Sequence, residues 1–198
     1  VFNAHYEARG GVAKFSKLKG VQTTGEMAAG PMTLSMEQGY LVSGAGYTRI
    51  SAGGNIMQES KYDGQKGAET AMGQITPMDD AKILDTQRSH DVLEFLHLAD
   101  YGLEAELLGV DRIDEVPQYL IEMRKDGKVS ESHWFNVETG LRTRTVRNES
   151  TPRGDMTVTL NYGDTMEVKG LRFESEMTMS TGGQEMKMSI KEVKLNPK

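Results

Sequence analysis

The chain has 198 residues, 23 of them basic and 29 acidic, for a formal charge of −6, and 37% are apolar. This composition excludes a disordered chain, and the acidic balance without any Lys/Arg-rich run excludes nucleic acid or anionic headgroups as partners held by charge alone. No stretch approaches the roughly 18–20 apolar residues of a membrane span, and the absence of cysteine excludes disulfides, thiol chemistry and Cys-bound zinc.

A chain of this length buries about 70% of its unfolded surface, enough for one substantial core, so residues 1–198 are expected to form a single domain. It opens on Val1 with no apolar signal segment, which reads as a processed or trimmed chain whose targeting information has been removed. Ala4, Ala8, Val12, Phe15 and Leu18 recur at helical spacing, and Gly10-Gly11 predicts helix, break, helix. Strand periodicity follows: Met32, Leu34 and Met36 share one face, with Thr33, Ser35 and Glu37 on the other.

No glycine lies between Gly73 and Gly102. In that window Thr76 as cap, Pro77 at the first position and Asp79-Asp80 near the positive end predict a helix over 77–87. Ser89 as a second cap predicts another helix over 90–100, stopped by Gly102. Leu84, Leu93 and Leu96 fall among their apolar positions. Downstream, Trp134 and Phe135 are strand neighbours facing opposite ways, one of them in a strand covered by a loop. Period two then returns in Met156–Tyr162, in Leu171, Phe173, Met177 and Met179, and in Met186, Met188 and Ile190. Val193 and Leu195 shift phase, as a β-bulge would make them do. Turn signals at Gly53-Gly54, Asp63-Gly64, Asp126-Gly127, Thr139-Gly140, Gly163-Asp164 and Gly182-Gly183 separate the runs. One apolar and one wet face per strand predicts an antiparallel meander with its few helices on one side.

Signatures of chemistry are missing. His90, Glu94 and His97 share one face of the expected helix, but the histidines stand two turns apart, about 10 Å, so a solvated acidic face is expected rather than a metal site. Ser89-His90-Asp91 are mere neighbours; there is no G-x-S-x-G elbow and no H-E-x-x-H pair. Gly44-Ala45-Gly46 lacks the third glycine of a dinucleotide loop. Arg142, Arg144 and Arg147 read as a solvated strand face. No enzyme, metal or cofactor is expected. The outstanding feature is 13 methionines, whose soft torsions and polarisable sulfur suit a wall that reshapes around apolar guests, or else simply fill a core.

Several segments resemble one known family. Glu7-Ala8-Arg9-Gly10-Gly11, Leu18-Lys19, Thr24-Gly25, the turn Tyr62-Asp63-Gly64-Gln65-Lys66-Gly67, and Tyr101-Gly102-Leu103 with Glu106-Leu107-Leu108-Gly109 lie in the order found in bacterial LolA/LolB-like lipoprotein-carrier-fold proteins. Lys125-Asp126-Gly127, Val137-Glu138-Thr139-Gly140-Leu141 and the closing Ile190–Asn196 complete the resemblance, which spans nearly the whole chain. It is nearest to uncharacterised envelope members, some fused to insulinase-type zinc peptidases. The resemblance implies a mainly β fold with some α: a curved, incompletely closed antiparallel sheet, a half-barrel, covered on its concave face by a few helices, with an apolar cavity between. In the sorting carriers that cavity takes lipoprotein acyl chains, and an Arg-Pro step after the first hairpin controls opening. Here Ser43-Gly44-Ala45-Gly46-Tyr47 stands there instead.

The resulting expectation is a non-enzymatic periplasmic or envelope protein that binds an apolar small molecule, lipid or acyl chain. The cavity wall is expected from Met32, Leu34, Met36, Phe173, Met177, Met179, Met186 and Met188, and the lid from Leu84, Leu93 and Leu96. The alternative is a structural domain of a larger envelope protease-like protein, bound to a protein partner through a strand edge or face.

Overall fold

The computed structural model describes residues 1–151 and 154–197. Two short helices, α1 (Phe2–Ala8) and α2 (Val12–Phe15), open the chain. Six strands follow: β1 (Gly20–Ala29), β2 (Met32–Leu41), β3 (Gly46–Ala52), β4 (Asn55–Tyr62), β5 (Gly67–Ala71) and β6 (Gln74–Pro77). After α3 (Asp80–His90) and two 3-10 turns, Glu94–Leu96 and Leu98–Tyr101, come β7 (Leu103–Ile113), β8 (Val116–Lys125), β9 (Lys128–Asn136), β10 (Arg142–Thr151) and β11 (Gly154–Tyr162). The chain ends with β12 (Thr165–Val168), β13 (Leu171–Glu174), β14 (Glu176–Thr181) and β15 (Gln184–Leu195).

Thirteen of these strands form one antiparallel sheet, ordered β6-β5-β4-β3-β2-β1-β15-β14-β11-β10-β9-β8-β7, while β12 and β13 make a separate hairpin. The first and last strands of the chain meet in the middle. The helical insert separates the two edges, β6 and β7, which do not pair with each other, so the curved sheet stays open. The meander expected from period-two patterning is therefore the fold.

Register places the inner face. Val21, Thr23, Gly25 and Met27 of β1 stand opposite Tyr40, Gln38, Met36 and Leu34 of β2, and opposite Leu195, Val193, Ile190 and Met188 of β15. In β15 the pairing passes from Glu192 to Ile190 while β1 advances only from Thr24 to Gly25. Lys191 is thus the bulged residue that returns Val193 and Leu195 to the inner face, as their phase shift predicts.

The core gathers where α1, α2, the β12–β13 hairpin and the 3-10 turns press on this face: Tyr6, Phe15, Val21, Phe95, Phe135, Leu171, Phe173, Ile190 and Val193 are buried. Phe2 stacks on Phe95 at 4.8 Å, and Phe95 meets Phe135 edge-on at 5.4 Å, a geometry that adds to the area aromatic rings bury. Gly10-Gly11 breaks the N-terminal helix as expected, and Gly10 has a positive φ of 111°. A Cβ there would collide with the Gly170 carbonyl oxygen in the hairpin turn. Gly10→Ala is expected to cost about 2 kcal/mol or more, read as a lower urea midpoint, because strained φ and steric collision act together.

The helical insert departs from expectation at both ends. Residues 74–77 form the edge strand β6, where Pro77, opposite Ala68, is tolerated because an edge strand pairs on one side only and can spare the missing N–H. The cap is Asp79, whose carboxylate accepts from the Lys82 N–H at 2.8 Å. The second expected helix does not form. Ser89 Oγ donates back to Thr86 O inside α3, and Asp91 turns the chain by accepting from the Leu93 N–H at 2.8 Å. Only 3-10 turns remain, closed by left-handed Gly102.

Candidate functional site

Helix α3 straps the two arms of the sheet together across its inner side. On one arm Lys82 lies 3.4 Å from Glu69, and the Gln87 amide donates to Gly64 O at 3.0 Å. On the other, the Arg88 guanidinium pairs with Glu131 of β9. Tyr62 crosses Gly46, where a Cβ would stand 2.6 Å from the phenol oxygen, and reaches His90 Nδ1 at 2.6 Å. The His90 ring stacks on Tyr40 at 5.1 Å, and the Tyr62 ring lies beside it, nearly parallel, at 5.9 Å. Burial brings the His90 imidazole down to about 4 and pushes the Tyr62 phenol up to about 12. The phenol therefore keeps its proton and the ring stays neutral, and the two share one hydrogen bond.

Under this strap lies a cavity of about 280 Å³, floored by Thr23, Gln38, Leu160, Met177 and Ile190 and roofed by the segment from Arg88 to Glu94. A second cavity of about 290 Å³, between α2, the β2–β3 loop and α3, shares Tyr40, His90, Asp91 and Val92 with the first. At its rim Asp91 accepts from His97 Nδ1 at 2.6 Å and from Tyr101 Oη at 2.9 Å.

The walls of the first cavity carry buried charge in compensated sets. Glu174 of β13 receives Arg9 at 3.4 Å and Arg142 at 3.5 Å, and Arg142 also meets Glu94 at 3.0 Å. The Arg142 guanidinium lies over the Tyr162 ring at 4.3 Å, a contact that strengthens when desolvated. Burial would raise the Glu174 carboxyl, but Arg9 and Arg142 outweigh it and hold it down at about 2. A second set runs Arg88, Glu131, His133, Thr145, Tyr162, with His133 Nε2 at 3.0 Å from Glu131 and Thr145 Oγ1 at 3.0 Å from His133 Nδ1. Burial opposes ionisation of Glu131 too, yet its bonds to His133 and Arg88 keep it well below the usual carboxylate range. His5, packed against Phe95 and Phe135 beside these sets, donates Nδ1–H to Gly140 O at 3.1 Å. Burial first, then Arg9 and Arg142, bring it down to about 3.

The expected site residues divide. Met177, Met179, Met186 and Met188 share the inner face, since Met177 pairs with Met188 and Met179 with Met186, and Met27, which the sequence reading did not single out, joins them opposite Met188. Phe173 and Met177 line the first cavity and Leu93 the second. Met36 is buried in the core, with Met188 packed against it. Leu34, Met179 and Met186 lie half-buried farther along the same face, and Leu84 is half-buried on α3. Met32 at the rim and Leu96 on its 3-10 turn are 61% and 41% exposed. The eight strand residues thus grade from buried to exposed, Leu84, Leu93 and Leu96 lie on the covering side, and the eleven do not line one pocket.

Other expectations are corrected. Arg142 is an interior residue, its side chain 13% exposed, because the register of β9 and β10 shifts between Arg142 and Arg144. Glu94 is likewise interior, paired with Arg142, while His90 and His97 have separate partners and share no helix face with it. Phe135 is fully buried and Trp134 lies on the outer face, opposite as expected, but Trp134 is held by edge strand β7 rather than by a loop, donating Nε1–H to Asp111 at 2.8 Å. Sequence reasoning missed Arg9, Arg88, Glu94, Glu131, His133, Arg142 and Glu174. One signal was present: Glu131 and His133 alternate in phase with Phe135, placing charge on an apolar face.

No protein-family model and no curated sequence matches the chain. Solved structures do. A putative outer-membrane lipoprotein-sorting protein domain from Vibrio parahaemolyticus superposes with a TM-score of 0.65 at 11% identity, over 98% of this chain and 91% of its own. The fold is LolA-like. A LolA-superfamily protein from Nitrosomonas europaea matches with a TM-score of 0.63 at 12% identity, over 90% of this chain and 86% of that one. A DUF1329-family protein from Desulfovibrio piger matches with 0.63 at 13%, over 98% and 91%. The LolA-like sheet here carries its own interior, in which charge pairs share the concave space with methionines. Among the described residues no helix is long and apolar enough to cross a membrane.

Proposed function

We propose that this chain is a non-enzymatic protein of the bacterial envelope that binds an apolar ligand, such as an acyl chain, a lipid or a lipidated peptide, between the LolA-like sheet and α3. The observation that carries the reading is continuity. The cavity floor at Met177 runs without a step into the half-buried methionine face formed by Met179, Met186 and Met188. A guest tail can leave the cavity along thioethers that adapt to its shape. Hydrocarbon burial contributes about 0.8 kcal/mol per methylene, so a chain of about 12 carbons gains about 10 kcal/mol before association and ordering costs are subtracted. The acids and bases around the cavity are engaged with each other, which supports binding over catalysis.

Titration with fatty acids of increasing length, or with an environment-sensitive apolar probe, tests this: saturable uptake is expected. Met177→Glu is expected to weaken uptake at least about tenfold by setting a charge in the hydrocarbon path. Absence of saturable uptake by the native chain ends the proposal. A second reading, an interaction domain within a larger envelope assembly, is favoured by edge strand β7, where Leu107, Leu108 and Val110 are 54%, 48% and 63% exposed. Recovery of a protein partner without lipid from native envelopes would select that reading.

A further inference from the structure

We propose, resting on the reading above, that the cavity under α3 contains a subsite for an uncharged hydrogen-bonding group of the ligand, the carbonyl of an acyl ester or amide, built by Thr23, Gln38 and Tyr40. Thr23 and Gln38 are direct cross-strand partners on the inner face of β1 and β2, and Tyr40 is the next inward residue of β2. All three line the cavity of about 280 Å³. Thr23 Oγ1 is buried with no hydrogen-bond partner. Among the described residues, neither the Gln38 amide nor the Tyr40 hydroxyl has a protein partner, the Tyr40 ring being held by its stack on His90. Polar atoms left unpaired in a buried wall cost free energy that a matching ligand group recovers.

The chemistry of the wall selects the group. A hydroxyl, a primary amide and a phenol offer neutral donors and acceptors, with no net charge to attract an ion. The guanidiniums of Arg9, Arg88 and Arg142 already face Glu174, Glu131 and Glu94, although Arg142 Nε is itself buried without a hydrogen-bond partner. An entering carboxylate would have to compete with those carboxylates for its counter-charge. The apolar counterpart lies one strand away: Thr23 pairs with Val193 and Gly25 with Ile190 on β15, and Met188 on the same strand pairs with Met177. A carbonyl at the β1–β2 strip and a tail along Ile190, Met188 and Met177 satisfy both zones together.

The test compares ligands of one chain length, a methyl ester, an N-methyl amide, the free carboxylate and the plain hydrocarbon, by displacement of a fluorescent apolar probe. The native chain is expected to prefer the ester or amide over the hydrocarbon by about tenfold, and not to prefer the carboxylate over the ester. Thr23→Val, Gln38→Met and Tyr40→Phe keep volume and remove hydrogen bonds. Each is expected to lower the ester-to-hydrocarbon affinity ratio by about threefold or more, with the urea midpoint of each variant checking that it is folded. Equal affinity for ester and hydrocarbon, preference for the carboxylate, or a ratio unchanged in all three variants overturns the subsite while leaving apolar binding intact. Failure of all four ligands to displace the probe overturns both readings.

Discussion

Glu174→Gln is expected to destabilise the protein by about 3 kcal/mol or more in denaturant unfolding, far beyond a typical surface substitution. The side chain is 18% exposed and stands between Arg9 and Arg142, themselves 11% and 13% exposed. Glutamine preserves its shape but leaves two desolvated guanidiniums short of a counter-charge, and breaking a buried pair from one side is the costly direction. The loss spreads because the three groups sit on separate elements. Arg9 closes α1, Arg142 begins β10, Glu174 ends β13, and Glu94 joins them from a 3-10 turn. Glu94→Gln is expected to cost less, since Arg142 keeps Glu174 beside it. Arg9→Met combined with Glu174→Gln should cost less than the sum of the two single changes, the signature of coupling in a double-mutant cycle. A Glu174→Gln loss below about 1 kcal/mol would mean the pairs behave as solvated surface bridges.

How far the sequence reveals this interior follows from what period two can encode. Alternation tells which residues share a face, so the common side of Met177 and Met179 and that of Met186 and Met188 were readable, as were the Gly10-Gly11 break and the bulge before Val193. It does not tell which stretch of that face is covered. Coverage depends on where α3 crosses, and that is set by tertiary contacts of Lys82, Gln87 and Arg88 to strands far away in sequence. The same blindness hid the interior charges. Glu174 alternates with Phe173 and so reads as wet, but β13 lies outside the main sheet, and at its end Arg9 and Arg142 close over the Glu174 side chain. Arg142 reads as solvated until the register shift beside it is known. Helix ends failed for a local reason: Thr76 and Asp79 are both competent caps, and pairing of residues 74–77 with β5 decides between them.

Stability is expected to fall steeply on acidification between about pH 6.5 and 4, at close to two protons' worth of slope, or about 2.7 kcal/mol per pH unit. His5 and His90 supply it. Each is buried and neutral in the folded state, with pKa values brought down to about 3 and about 4 from an ordinary value of 6.5. Below pH 6.5 the unfolded chain binds a proton at each histidine and the folded chain does not, so protons drive unfolding until the folded pKa is reached. The His90 contribution is spent by about pH 4 and amounts to about 3 kcal/mol; that of His5 continues to about pH 3. Glu174 adds to the loss over a lower window, since its stabilisation is complete above the unfolded value near 4.3 and disappears as pH falls toward about 2. By about pH 4 the two histidines together remove about 7 kcal/mol, a large part of a typical total of about 5–15 kcal/mol. His90→Phe keeps a ring against Tyr40 but cannot titrate. It is expected to lower stability at pH 7, where the Tyr62 hydroxyl loses its hydrogen-bond partner, and to halve the slope between pH 6 and 4. Urea unfolding at a series of pH values measures both effects, and a native slope near zero over that range would show that the two imidazoles are solvated, contradicting the packing of His5 against Phe95 and Phe135 and of His90 against its tyrosines.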